Sequence, residues 1–228
     1  MANKFEKYGA TLKGVDLSAD GELDLINAQT LTPLKAAAVY AFRVVACDTK
    51  VDRDFEHFSR SALDEMAKRY VGQPILLDHN WSAANQTARI YAAEVQEMEG
   101  FARLVLRAYI PRTEETLPKI QAIESGILKE VSVGCSVASA TCSICGEDKA
   151  RHFCDHVPGQ SYDGQLCTVE LSDVVDTYEV SFVAVPAQPG AGTIKDYGGA
   201  KDPTEPPAPK PCERAEDVQT ALALLELL

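Results

Sequence analysis

Residues 126–136 read GILKEVSVGCS, and the fold turns on this stretch. Val131, Val133, Cys135 and Val137 alternate with small residues, the period-two pattern of a half-buried strand. Just upstream, TEETLPKIQAIESG (113–126) has an acidic start and a terminal glycine, which predicts a helix feeding directly into that strand. Working outward, AAAVYAFRVVACD (36–48) reads as a buried strand and SRSALDEMAKRYVG (59–72) as a helix with a capping serine and a terminal glycine. PILLDHN (74–80) predicts a short strand with a polar end, and TARIYAAEVQEMEGFARLVLRAYI (87–110) two strands turning at Glu99 and Gly100. A further strand pair is expected near 166–171 and 177–185. The class is therefore α+β: one β-rich body with a few helices.

Composition narrows the function. The chain has 228 residues, enough for one substantial core. With 34 acidic against 22 basic residues the formal charge is −12, the wrong sign for a surface that must neutralise phosphates, so no nucleic-acid partner is expected. The opening MANKFEKYGATLKG lacks the apolar core of a signal peptide, and no run of about 18 apolar residues occurs, so no membrane partner is expected either. A cytoplasmic location is the expectation.

Seven cysteines are an odd number, and Cys142, Cys145, Cys154 and Cys167 crowd one segment, which favours metal binding over a disulfide framework. In CSICGEDKARHFCDHVPG (142–159) the C-x-x-C spacing forms a knuckle that can aim two thiolates at one ion, and Cys154 with His156 can add sulfur and nitrogen from an extended segment. These four would close a tetrahedron around Zn²⁺ with no open position, the mark of a structural site. His152 and Cys167 remain rivals for the fourth place. Cys47 and Cys135 read as small buried hydrophobes.

A second set of residues is dispersed. His79 ends an apolar strand, Ser132 lies on another, and Glu179 lies on a third. Together they supply an oxygen nucleophile, an imidazole to take its proton and a carboxylate to orient the imidazole. The ordered series VDRDFEHF (51–58), PILLDHNWS (74–82) followed by ARI, GILKEVSVG (126–134) and YEVSFVAVPAQPGA (178–191) resembles the prohead proteases of tailed bacteriophages. These are capsid-maturation serine proteases related in fold to the herpesvirus assemblins. The resemblance covers roughly residues 36–195.

The resemblance implies a mainly antiparallel β-barrel flanked by helices, with His79 as base, Ser132 as nucleophile and Glu179 as the acidic third member. Some relatives also carry a C-x-x-C insertion followed by C-x-H-x-P-G, as this chain does. Ser136, on the same strand face as Ser132, is the rival nucleophile. Arg89 and the amides following Ser132 are the candidate oxyanion donors. The implied partners are phage scaffold and major capsid protein, with self-association inside the assembling prohead in the host cytoplasm. The expected organisation is an N-terminal extension (1–29), a protease domain (30–195) with a zinc-binding insertion (140–167), and a Pro-rich linker with a short terminal helix (196–228). The alternative is a catalytically silent, zinc-containing assembly factor that docks on scaffold.

Overall fold

The structure is a computed structural model and describes residues 21–193, together with Val15 and Leu17. The expected terminal linker and helix lie outside the described residues.

The predicted strands and helices of the first half form close to their expected bounds. β1 (Val39–Asp48) is almost wholly buried, as its β-branched and aromatic content requires. After the short β2 (Glu56–Phe58), Ser59 caps α2 (Arg60–Tyr70) by accepting the Ala62 amide at 3.1 Å. Ala62, Leu63, Met66 and Tyr70 of α2 are buried at helical spacing and enter the core. β3 (Pro74–Leu77) follows, then the antiparallel pair β4 (Ala88–Met98) and β5 (Phe101–Pro111), which turns at Gly100 with φ of 81°. Ahead of β1, the short α1 (Glu22–Asn27) buries Ile26 among Val39, Tyr91 and Tyr109. There Tyr91 donates to Glu22 at 2.5 Å, and Arg107 pairs with the same carboxylate. Among the described residues no helix is long and apolar enough to cross a membrane.

The helix α3 (Leu117–Glu124) does lead into β6 (Val131–Cys142), with Gly126 at φ 75° ending it. It starts later than its acidic residues suggest, because Glu114 and Glu115 precede the first turn. Instead of two strands near 166–171 and 177–185, one long strand β9 (Val169–Phe182) runs the full length of β6 after the small hairpin of β7 (Ser161–Tyr162) and β8 (Gln165–Leu166). Bulges absorb the polar middle: the register shifts opposite Gly134/Cys135 and again opposite Ser136/Val137, and Asp173 takes a positive φ.

The sheet runs β10 (Gly192–Thr193)–β1–β5–β4–β3–β9–β2, with β6 on the other side of β9. All pairings are antiparallel except β2–β9 and β3–β9. The α+β class holds, but the expected closed barrel does not form. Among the described residues the seam between the start of β6 and β10 carries the Glu130–Gly192 bridge, flanked by bonds from the Val131 amide to the Ala191 carbonyl and from the Thr193 amide to the Lys129 carbonyl, and β6 then follows β9 away from it. On its other edge β9 is covered by β2 at one end and β3 at the other. In the interval, Glu65 of α2 accepts the Val174 amide at 2.7 Å.

Candidate active site and metal centre

The site is assembled where β9 lies between β3 and β6. β3 ends in a tight turn in which the Asn80 amide returns to the Leu77 carbonyl, and both central residues, Asp78 and His79, have positive φ (53° and 50°). Positive φ at two successive non-glycine residues is the signature of a mirror-image turn and is unfavourable for L side chains, so tertiary contacts must hold it. Those contacts are present. The Asp78 amide donates to the Phe182 carbonyl at 3.0 Å, and the His79 amide to the Ser181 hydroxyl at 3.0 Å.

His79 Nδ1 lies 2.7 Å from Glu179 Oε1. The other carboxylate oxygen accepts from the Ser181 hydroxyl at 2.6 Å. Glu179 is 2% exposed, so these two bonds compensate a carboxylate removed from water. With Nδ1 donating to Glu179, Nε2 becomes the basic nitrogen of the ring, and the side chain is 41% exposed. The β6–β9 register puts Ser132 directly opposite Ser181 and Gly134 opposite Glu179. Residues opposite one another in an antiparallel pair share a face, so Ser132 stands on the face that carries Ser181, Glu179 and the His79 ring. The three expected residues thus surround one buried side chain, Ser181. His79 and Glu179 are joined directly; Ser132 shares their face without a hydrogen bond to His79 among the described contacts.

Ser181 was not singled out from sequence, although its spacing of two from Glu179 on a strand marks a shared face. Gly134 is the other unforeseen participant: the Glu179 carboxylate fills the space a β-carbon there would need, and the Tyr70 hydroxyl donates to the Gly134 carbonyl at 3.2 Å. The rivals fare differently. The Ser136 hydroxyl accepts from Tyr178 at 2.9 Å, and burial pushes the Cys135 thiol up to about 11, leaving it protonated at neutral pH. Arg89 donates to the Gly72 carbonyl and to Gln86 Oε1, both at 2.9 Å.

The cysteine segment folds as a knuckle. The Gly146 amide returns to the Cys142 carbonyl and the Cys142 amide donates to Glu147, both at 2.9 Å. Cys142, Cys145, Cys154 and His156 bring one ligand atom each to within 4.8 Å of all the others, and Cys145–Cys154 and Cys154–His156 Nδ1 are both 3.4 Å. A tetrahedral ion with metal–sulfur bonds of about 2.3 Å separates its sulfurs by roughly 3.7 Å, so the cluster can hold a metal ion. Burial alone would raise the Cys142 thiol, but amide hydrogen bonds from Cys145 and Ile144 and the neighbouring thiols outweigh it and bring it down to about 6. His152 stands outside the cluster, 3.7 Å from Glu147 and largely exposed. Cys167 is buried 3.9 Å from Cys142 but does not join the four. Lys149 ties the loop together, donating to the Cys154 and His156 carbonyls.

Compared with models of known protein families, with characterised proteins and with solved structures, the chain matches none.

Proposed function

We propose that this chain is a serine endopeptidase of the prohead-maturation type, cleaving scaffold or coat protein, and itself, during capsid assembly. The observation that supports the reading most is the buried Glu179 holding His79 Nδ1 at 2.7 Å on the sheet face that carries Ser132. A carboxylate in that position sets the tautomer and stabilises the imidazolium that forms during reaction. His79 Nε2 takes the Ser132 proton as Oγ adds to the scissile carbonyl carbon. The carbon–nitrogen bond then breaks, and the same proton passes to the departing amine. Water, deprotonated by His79, attacks the Ser132 ester and restores the free hydroxyl. The coat and scaffold substrates rest on the sequence resemblance.

In the same reading Cys142, Cys145, Cys154 and His156 hold a structural Zn²⁺. With four protein ligands the ion contributes to the folding of the insertion and leaves no position for a reacting water.

The test is covalent labelling. A fluorophosphonate should modify Ser132 of the folded protein at one site, located by peptide mass mapping, and Ser132→Ala should remove the label. Labelling of Ser136 instead, or none at all, rejects the assignment.

A further inference from the structure

Beside the His79–Glu179 pair lies a pair of aromatic rings that the triad does not use. Trp81 is two residues after His79 and Tyr178 immediately precedes Glu179. Their ring centroids are 5.3 Å apart and their planes are inclined at 50°. Trp81 is 68% exposed and Tyr178 37% exposed. Single exposed apolar residues are ordinary, but two aromatic rings in contact present a contiguous apolar face with a defined geometry, of the kind that binding sites use.

Exposure here does not come from a loose loop. Beyond the turn at Asp78–His79, the Ser82 amide donates to the Asn80 carbonyl at 2.7 Å and the Asn85 amide to the Ser82 carbonyl at 3.0 Å. The Ala84 amide donates to the Ser82 hydroxyl at 3.3 Å, and the Thr87 amide returns to Ile75 in β3 at 2.7 Å. Tyr178 is fixed from the other side, because the β9 bulge makes it the unpaired residue between Thr177 and Glu179, and its hydroxyl donates to Ser136 on β6. Ser136 lies four residues along the strand from Ser132. The inclined rings are therefore a notch held from both sides beside the strand of Ser132, with the Tyr178 hydroxyl already bonded to Ser136.

We infer that the Trp81–Tyr178 notch is a side-chain subsite that receives an apolar residue of an extended peptide substrate. This rests on the endopeptidase reading for its place beside the scissile bond. Two ring faces offer an apolar side chain buried area, and neither ring carries a positive charge to pair with an anionic one. In this reading the Ser136 hydroxyl orients Tyr178 by accepting from it.

Trp81 is the sole tryptophan of the chain, so its fluorescence reports this site alone. In the full-length Ser132→Ala protein, end-capped alanine hexapeptides carrying one Leu, Phe, Lys or Asp at each position in turn are titrated against Trp81 emission. Leu and Phe peptides should shift the emission to shorter wavelength and bind at least tenfold more tightly than the all-alanine peptide, and Tyr178→Ala should erase that preference. Flat emission, or equal response to Lys and Asp peptides, overturns the subsite. Fluorophosphonate labelling of the parent protein reports separately on the hydrolase reading. Labelling with unresponsive emission sinks the subsite alone, whereas responsive, side-chain-selective emission without labelling upholds the notch as a peptide site and sinks the hydrolase.

Discussion

Gly134 faces Glu179 across the β6–β9 ladder, and the carboxylate occupies the volume that any β-carbon at 134 would require. The glycine is needed for space, since its backbone φ is not in the left-handed region. It lets a buried carboxylate lie across the strand that carries Ser132 and reach His79.

Gly134→Ala should therefore displace Glu179 from His79. A misplacement of about 1 Å at a catalytic group costs on the order of 10²-fold in rate, so kcat should fall by about that factor. Overpacking adds a stability loss of roughly 1–3 kcal/mol. The protein should still fold, as far-UV circular dichroism will show; unchanged peptide cleavage by the alanine variant would mean that the carboxylate has no part in the chemistry.

In the endopeptidase reading Ser181 is a positioning residue. Its hydroxyl donates to Glu179 Oε2 and accepts the His79 amide, so one side chain fixes both partners of the pair. Ser181→Ala should lower kcat about tenfold or more while leaving KM near its parent value, because the lost bonds orient the catalytic groups and touch no substrate. Ser181→Thr, which keeps the hydroxyl, should recover part of the loss. Equal effects of Ala and Thr on kcat would point to a packing role only.

β1, α2, β4 and β5 were legible because their apolar runs or stripes coincide with what is buried, on both faces of β1 and on one face of α2, so local pattern matches tertiary position there. β9 reads locally as two strands because Ser172, Asp173, Asp176 and Thr177 flank Val174 and Val175 in its middle: there it is a bulged strand supported by β6 and by Glu65 of α2, and no local pattern records a partner that far away. Closure of the barrel was likewise a question of long-range pairing, decided where Glu130 meets Gly192. The Cys142, Cys145, Cys154 and His156 cluster that could hold a metal ion was legible because four such donors at short spacing define their own chemistry. His79 and Glu179 lie 100 residues apart, and only the β3–β9 register joins them.

The two serines of β6 should separate cleanly. Ser132→Ala should abolish nearly all turnover, leaving only what binding and an oxyanion site supply. Ser136→Ala loses the acceptor of the Tyr178 hydroxyl and should retain the reaction, with at most about tenfold lower kcat/KM. Steady-state kinetics on a fluorogenic peptide distinguishes them, and a reversal of the two effects would move the nucleophile to Ser136.

The metal loop connects to the body through a close contact that makes its folding measurable. Gly159, at φ 84°, lies against the Phe55 ring so closely that a β-carbon would overlap it, and the Phe55 carbonyl accepts the Val169 amide at 3.0 Å as β9 begins. Loss of the ion should thus loosen the insertion and the start of β9 while the His79–Glu179 pair, at the other end of that strand, persists. Elemental analysis should find one zinc per chain. Chelation or Cys145→Ser should remove it and lower Tm together, whereas Cys167→Ser and His152→Ala should retain it, because neither side chain belongs to the four converging ligands. Uptake by the stripped protein has a defined pH dependence. With its thiol brought down to about 6, Cys142 offers a thiolate at neutral pH, and uptake should weaken as pH falls through that value and the ligand is protonated. Peptide cleavage by the stripped protein, assayed well below its reduced Tm, should stay within about threefold of the parent rate; a complete loss there would make the ion part of the reaction, against a shell of four protein ligands that leaves it no open position.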